Sequence, residues 1–298
     1  MATTQSEDRP AVPTPTTGTA RLLVQCADRP GIVAAVSAFL FQHGANIVHA
    51  DQHSNGNRRF FLRMEYELEG LDVSPDELVG RFGAEIAARF QMEWHVSYSA
   101  QRPRMALLVS RADHCLLELL WRWRRGELPV DIPVVISNHE TLRGDVEAFG
   151  LPFECLPITT ETKAQQERAM LTLLRERADF VVMARYMQIL SAAFIAEFPH
   201  AVINIHHSFL PAFAGADPYR QAFDRGVKII GATAHYATED LDEGPIIEQS
   251  VERVTHGHSP AALEAIGRGI ESAVLSRAVT WHCEHRVVLA DNKTVVFN

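Results

Sequence analysis

The chain has 298 residues, 47% of them hydrophobic, and a formal net charge of −9 at neutral pH. Because domains cluster around ~100–200 residues, this length predicts two packed cores rather than one. The acidic charge, without a long run of Lys or Arg, predicts that nucleic acid is not a partner.

The first 18 residues, MATTQSEDRPAVPTPTTG, are rich in Thr and Pro and are predicted to be a disordered tail. They lack the basic and then apolar order of a secretory signal. No segment approaches the ~20 apolar residues of a membrane span, so no membrane association is expected. The four cysteines contain no C-x-x-C pair, which fits a reducing compartment, and we expect a cytoplasmic protein.

Residues 19–100 are predicted to form a ferredoxin-like βαββαβ domain. An apolar run at 20–27 ends at the turn DRPGI, and helical spacing follows until Gly44. Two strand-like segments, at 45–53 and 58–67, flank the polar turn SNGN. A second amphipathic helix at 75–90 and a strand near 92–99 complete the order.

Residues 101–298 are predicted to form a second domain, because AQRPR at the boundary has no apolar periodicity. Strand-like and helix-like segments then alternate, which is typical of a doubly wound, mostly parallel sheet whose sites lie at the carboxyl ends of its strands. The strands are expected at 105–110, 132–137, 153–156, 180–184 and 201–205, with helices from 112, from 141 and at 163–177. A helix at 218–225, strands at 227–237 and 246–254, a long helix at 260–282 and a terminal hairpin follow.

The candidate chemistry lies where the strand at 201–205 ends. Asn204 and His206 are separated by one residue, so on an extended strand they project to the same side. Asp242 follows His206 by 36 residues, which leaves room for a loop, a helix and a returning strand. Asn204 could donate to an oxyanion, His206 could transfer a proton, and Asp242 could orient the imidazole.

Structural roles remain open for each of these residues taken singly: a satisfied amide at a strand end, a structural histidine and a solvated aspartate. His207 points to the other face of an extended strand, and we expect it to be structural. A zinc site is not expected at this strand end, because adjacent histidines on a strand diverge and no C-x-x-C pair accompanies them in the sequence. The loop SRADHC after the strand at 105–110 has no glycine, so a phosphate cradle is not expected there either.

Several segments of the chain resemble formyltetrahydrofolate deformylases, in which a small ACT-like domain precedes a formyltransferase-type catalytic domain. In the first domain these segments are DRPGIVAAVSAFL and GANIVHADQH. In the second they are CLLELLWRWRRGELPVDIPVVISNH, ARYMQILS, INIHHSFLPAF and HYATEDLDEGPIIEQ. The resemblance extends from about residue 20 to the end of the chain.

The resemblance implies hydrolysis of 10-formyltetrahydrofolate to tetrahydrofolate and formate, which supplies formate and balances one-carbon folate pools for purine biosynthesis. It assigns the catalytic roles to Asn204, His206 and Asp242, with no metal and no cofactor beyond the folate substrate. Glycinamide ribonucleotide formyltransferases resemble only the second half and carry a glycine-rich phosphate loop where this chain has SRADHC. One departure from the family pattern is Asp217, which leaves local loop contacts open.

The resemblance also implies two binding sites. The pterin is expected against two segments, largely through backbone hydrogen bonds, although the apolar side chains of the first segment could equally be core. These segments are Arg185, Tyr186, Met187, Gln188, Ile189 and Leu190, and Thr238, Glu239, Asp240 and Leu241. A small amino-acid effector is expected at a subunit interface of the ACT-like domain, which could instead only dimerise; either implies a homo-oligomer, a dimer or tetramer. The effector residues would be Asp28, Arg29, Pro30, Gly31, Gly44 and Asn46.

Two competing functions remain open at this point. A formyltransferase could use the same three residues on a small amine acceptor, although the phosphate loop is missing. A non-catalytic amino-acid sensor with a folate-type fold would bind an effector without turnover. The presence of all three polar groups together favours the hydrolase.

Overall fold

The computed structural model describes residues 14–211 and 218–297. The chain divides into two compact units, one ending at Gln101 and including Phe297, the other comprising Arg102–Val296. Most of the predicted tail, residues 1–13, and Asp217 lie outside the described residues. Residues 14–18 belong to the first unit and form hydrogen bonds, including one from the Thr14 hydroxyl to Asp76 at 2.6 Å.

The first unit is a four-stranded antiparallel sheet covered by helices, as the βαββαβ pattern predicts. The strand order is β2-β3-β1-β4. Ser74 caps the second helix by accepting from the Glu77 N–H, and Pro75 occupies its first turn, which is a typical helix start. A π-helical turn, Gly83–Ala87, interrupts the continuous helix predicted at 75–90. The elements are β1 (Thr19–Ala27), α1 (Ile32–Gln42), β2 (Ile47–Ser54), β3 (Arg59–Glu67), α2 (Pro75–Phe82), α3 (Ala88–Phe90) and β4 (Glu93–Tyr98).

The second unit contains a seven-stranded sheet with the order β11-β10-β9-β8-β5-β6-β7. The strands from β9 to β7 are parallel, and β10 and β11 are antiparallel to their neighbours. The strands are β5 (Arg104–Val109), β6 (Asp131–Ser137), β7 (Phe153–Cys155), β8 (Phe180–Met183), β9 (Val202–His206), β10 (Ile229–Tyr236) and β11 (Ile246–Arg253). The predicted terminal hairpin is formed by β12 (Val287–Ala290) and β13 (Lys293–Val296).

Helices cover both faces of this sheet, so the doubly wound prediction is confirmed. Alternate residues of β5 show the two layers: Leu107 packs with one set of helices and Leu108 with the other. A short helix at 192–197 was not predicted from the sequence, because six residues are too few to establish a helical period. The helices are α4 (His114–Arg124), α5 (Arg143–Ala148), α6 (Lys163–Leu174), α7 (Ala192–Glu197), α8 (Pro218–Asp224) and α9 (Pro260–Cys283).

The topology places β9 between β8 and β10, near the centre of the sheet. His206 is the last residue of β9 and therefore lies at the carboxyl end of a parallel strand, where open α/β sheets bind ligands. The antiparallel strand β10 returns alongside and sets Thr233 opposite His206. Throughout the described segments, every helix is too short or too polar to cross a membrane.

Candidate active site

Asn204 and His206 lie on the same side of β9, as their spacing predicts. Ile203 and Ile205 point to the opposite layer and are buried in the core that contains α4 and α9. His206 is only 6% exposed, and Asn204 is half-buried. Both residues line a cavity of about 590 Å³ in the second unit. The strand therefore presents an amide and an imidazole to the same cavity.

Asp242 reaches this space from the loop between β10 and β11. Its backbone is left-handed, with φ 59°, and Gly244 two residues later packs against the carbonyl of Tyr236, where a Cβ would overlap. The Tyr236 N–H donates to the Pro245 carbonyl at 2.9 Å and closes the loop. This tight turn places Asp242 Oδ2 3.1 Å from His206 Nδ1. The carboxylate and imidazole, far apart in sequence, are thus in direct contact.

The contact between Asp242 and His206 determines the protonation state of the carboxylate and the tautomer of the imidazole. Burial alone would raise the pKa of Asp242, but the hydrogen bond from His206 and the proximity of the His235 ring outweigh it and hold that pKa well below its usual range. The carboxylate is therefore ionised at any ordinary pH and accepts the His206 Nδ1–H. In the neutral ring, Nε2 then carries the lone pair. That atom is buried and has no hydrogen-bond partner among residues 14–211 and 218–297. It is free to accept a proton in the cavity.

His235, which the sequence reasoning missed, completes the polar group. Its Nδ1–H donates to the Tyr236 carbonyl at 2.9 Å, and it is 1% exposed. Its Nε2 lies 3.2 Å from Asn204 Nδ2 and 3.6 Å from Asp242 Oδ1. In the neutral ring, Nε2 accepts one N–H of the Asn204 amide and so fixes its orientation. Among the residues that the structure describes, the second amide N–H has no acceptor and can donate to a ligand.

The sequence signal for His235 was present but incomplete. It lies in the strand predicted at 227–237, a few residues before Asp242. Only the pairing of β10 with β9 sets it directly opposite Asn204. Because a strand partner cannot be read from a single segment, the residue could not be distinguished from a structural histidine.

All ten residues predicted to contact the pterin line the cavity that contains His206. Three of them expose large apolar side chains: Met187 is 59% exposed, Ile189 57% and Leu241 61%. The alternative that the first segment supplies only core residues therefore fails for Met187 and Ile189, while Leu190 is buried. Exposed apolar groups beside buried polar ones are typical of a site for a flat, partly polar ring.

A second polar cluster lines the same cavity and is centred on Glu271 of α9. Its carboxylate is 1% exposed and accepts hydrogen bonds from the Tyr219 hydroxyl and from His114 Nε2, the latter at 2.8 Å. Arg185 Nε lies 3.3 Å from the same carboxylate. Burial would raise the pKa of Glu271, but these partners lower it, so the group is an anion held by three side chains.

His114, Cys115 and Glu271 bring potential metal-ligand atoms within 4.8 Å of one another. Their chemistry is a poor match for a cation. The Arg185 guanidinium, whose Nε lies 3.3 Å from the Glu271 carboxylate, already places a positive charge beside this group. The Glu271 oxygens are already engaged by Tyr219 and His114.

His207 is half-buried, and its ring stacks on His206 with a centroid distance of 5.1 Å. Burial, together with the charge of Arg185, lowers the pKa of His207 to about 4, so the ring is neutral at physiological pH. It also lines the cavity, although the sequence reasoning expected it to be purely structural.

The six residues predicted to bind an effector are all exposed in the first unit. Gly31 precedes α1 with φ 93°, and Gly44 follows it with φ 76°. An 11-residue helix is roughly 16 Å long, so the two glycines are at opposite ends of it. Residues 28–31 and residues 44–46 therefore do not form one pocket within a single copy of this unit.

Comparison with known proteins adds independent findings. The Formyl transferase family matches residues 103–279, and the ACT domain family matches residues 20–77. A formyltetrahydrofolate deformylase from Synechocystis sp. is 53% identical over 94% of this chain and 98% of its own. The crystal structure of a formyltetrahydrofolate deformylase from Pseudomonas syringae has a TM-score of 0.91 and 48% identity, covering 94% of each chain. A glycinamide ribonucleotide transformylase from Symbiobacterium toebii, with TM-score 0.64 and 28% identity, covers only 67% of this chain and 97% of its own.

Proposed function

The chain belongs to the formyltetrahydrofolate deformylase family, and we propose that Asn204, His206 and Asp242 carry out its reaction. It is a hydrolase that converts 10-formyltetrahydrofolate to tetrahydrofolate and formate. The observation that carries the residue assignment is the 3.1 Å contact of His206 with Asp242 at the end of β9, in a histidine that lines the cavity and whose Nε2 has no partner among the described residues.

In the first step, His206 acts as the base. Its Nδ1–H is held by the Asp242 carboxylate, so Nε2 takes a proton from water as the water oxygen attacks the formyl carbon. The imidazolium that forms is stabilised by the adjacent carboxylate. The carbonyl oxygen becomes an oxyanion, which accepts from the Asn204 amide and from His206 Nε2–H. A preorganised donor of this kind contributes about 3–4 kcal/mol in acyl-transfer sites.

In the second step, His206 returns its proton to the folate nitrogen as the carbon–nitrogen bond breaks. Tetrahydrofolate and formic acid result, and formic acid ionises to formate. Asn204 stays oriented throughout because His235 accepts its other amide N–H at 3.2 Å. No group other than these side chains and water is required for the proton transfers.

The folate lies between the segment at 185–190 and the loop at 238–241. The apolar side chains of Met187, Ile189 and Leu241 face the cavity and provide flat contacts for the ring. We expect backbone amides and carbonyls of the same segments to form hydrogen bonds with the pterin edge. We expect Met187→Ala to raise KM more than it lowers kcat, because it removes binding that is equal in the ground and transition states.

A formate assay on the purified protein tests the reaction. Formate should be released from 10-formyltetrahydrofolate without any amine, at the same rate as tetrahydrofolate appears. Turnover that begins only after a small amine is supplied would replace the hydrolase with a formyltransferase that uses the same residues.

The first unit is proposed to bind a small amino acid at an interface between two copies. Since residues 28–31 and 44–46 are at opposite ends of α1, a second copy is needed to bring them together. This accounts for a dimer or a tetramer in solution. Light scattering should give that mass, and titration with single amino acids should show saturable binding that weakens in Gly31→Val. A monomer that binds no amino acid would contradict this proposal.

In the cell the enzyme is proposed to act in the cytoplasm, where it supplies formate and balances one-carbon folate pools for purine biosynthesis. A strain without the enzyme should then accumulate 10-formyltetrahydrofolate, and added formate should correct its purine supply. Fractionation of cells should recover the protein with cytoplasmic markers.

A further inference from the structure

Arg185 has features that backbone contacts to a folate do not explain. It follows β8 and has φ 65°, a left-handed backbone that non-glycine residues rarely adopt. Such strain persists only where the surroundings over-determine it, and it concentrates at functional sites. The backbone conformation directs a long cationic side chain into the same cavity that contains the proposed catalytic residues.

The guanidinium group of Arg185 is incompletely satisfied. Its side chain is 17% exposed, and Nε faces Glu271 Oε2 at 3.3 Å. Nη1 is buried and has no hydrogen-bond partner within the described ranges 14–211 and 218–297. Glu271, which also accepts from Tyr219 and His114, makes no hydrogen bond to Nη1. A guanidinium has five N–H donors, and those of Nη1 have no acceptor in the described ranges, so they can bind a small anion that reaches them.

His207 connects this group to the reaction centre. Its ring stacks on that of His206 and lies 6.3 Å from that of Tyr219. Because the ring is neutral, one of its nitrogens carries an N–H and the other a lone pair. It therefore provides a neutral donor beside His206, within the electrostatic influence of Arg185, without adding a second charge.

We propose that the terminal face of Arg185, with His207 beside it, forms a binding site for a small carboxylate, and that its ligand is the formate product. The assignment of formate rests on the proposed hydrolysis. A planar carboxylate matches the fork of a guanidinium and accepts two parallel N–H bonds. Formate, which is released beside His206 when the carbon–nitrogen bond breaks, would meet this donor set within the same cavity. Formate release is thus separated from folate release, and added formate inhibits by occupying this site.

Titration of the full-length protein with sodium formate, without folate, tests the site. The readout is the line width of ¹³C-formate, and sodium chloride keeps the ionic strength constant. We expect saturable binding that becomes at least tenfold weaker in Arg185→Gln. The matched control is Arg268→Gln, because Arg268 lines the same cavity but pairs with Glu264 at 3.2 Å on an exposed helix face. That variant should bind formate within twofold of the wild type.

A second substitution separates loss of the site from loss of the fold. Arg185→Gln leaves the buried Glu271 without its cation and could destabilise α9. Glu271→Gln removes the carboxylate that competes for the guanidinium, so formate should bind several-fold more tightly. A folding defect would weaken binding in both variants. Arg185→Lys keeps the charge but loses the fork, and its affinity should fall between those of the wild type and Arg185→Gln.

The site is refuted if formate does not saturate the wild type, or if Arg185→Gln binds it as well as Arg268→Gln. Weaker binding in Glu271→Gln, with a circular dichroism spectrum and melting temperature that match the wild type, would also refute it. The same protein samples are assayed for formate release from 10-formyltetrahydrofolate. Release without formate binding would remove the site and leave the hydrolase, whereas formate binding without release would remove the hydrolase and leave a carboxylate site.

Discussion

Asp242→Asn should lower kcat by roughly a thousandfold while leaving the fold intact. The carboxylate touches His206 Nδ1 at 3.1 Å and is 14% exposed, so it acts on a charge that develops during the reaction. Two unit charges about 4 Å apart attract by about 4 kcal/mol at an effective dielectric of ~20, the value suited to partly buried pairs. Each ~1.4 kcal/mol lost from the transition state slows the reaction tenfold, which gives the thousandfold estimate.

Asp242→Asn should also change which nitrogen of the His206 ring carries the proton. An asparagine amide can donate to His206 Nδ1, which would place the ring proton on Nε2 and remove the base. KM should change little, because the aspartate is proposed to act on the transition state and not on bound folate. The pKa of Asp242 lies far below neutral, so the wild-type carboxylate stays ionised as the pH falls to 5 and the effect should persist there.

The assay is steady-state formate release at pH 7 and pH 5, with circular dichroism to verify folding. Glu243→Gln is the matched control, because it neutralises the adjacent, exposed carboxylate of the same loop. Its kcat should stay within twofold of the wild type. If Asp242→Asn retained more than a tenth of the wild-type kcat, or if Glu243→Gln lost as much, the assigned role of Asp242 would be wrong.

Three further predictions concern the neighbours of this group. His235→Phe should lower kcat about tenfold, because it removes the ring nitrogen that orients the Asn204 amide at 3.2 Å. His235→Gln should recover part of the lost kcat. Equal losses of kcat in the two variants would contradict an orienting role. Gly244→Ala should lower the melting temperature and the activity together, because the added Cβ would overlap the Tyr236 carbonyl. A wild-type melting temperature in calorimetry would argue against this packing. Burial lowers the pKa of His282 from 6.5 to about 4. As the pH falls, the unfolded chain therefore takes up a proton at this histidine at a higher pH than the folded chain does. Roughly 3 kcal/mol of the free energy of unfolding should be lost between pH 7 and pH 4. Denaturant unfolding should show a shallower pH slope in His282→Phe, and identical slopes would refute the assignment.

Local patterns in the sequence were sufficient for most of the secondary structure. The strands at β5, β6 and β8 are continuous apolar runs, typical of strands buried on both faces. The start of α9 was readable from Ser259 and Pro260, a cap and a first-turn proline. The π-helical turn at Gly83–Ala87 was not readable, because it keeps the apolar spacing of a continuous helix.

Local sequence rules likewise predict some residues of the candidate site and not others. Asn204 and His206 were paired correctly because strand residues two apart share a face, which is a local rule. Asp242 could be suggested only through room for a returning strand, since no local rule fixes a distance across 36 residues. His235 and the Glu271 cluster were missed because their partners come from strands and helices distant in the chain.

The sequence alone determined which segments would be helix or strand and which end of β9 would carry polar groups, because hydrophobic periodicity and capping act over a few residues. The tertiary structure decided which of those groups meet. Pairing of β10 with β9 brought His235 to Asn204, the turn before Gly244 brought Asp242 to His206, and the packing of α9 set Glu271 beside Arg185. These contacts depend on strand order and helix docking, which are collective properties of the folded chain and are not encoded in any single segment.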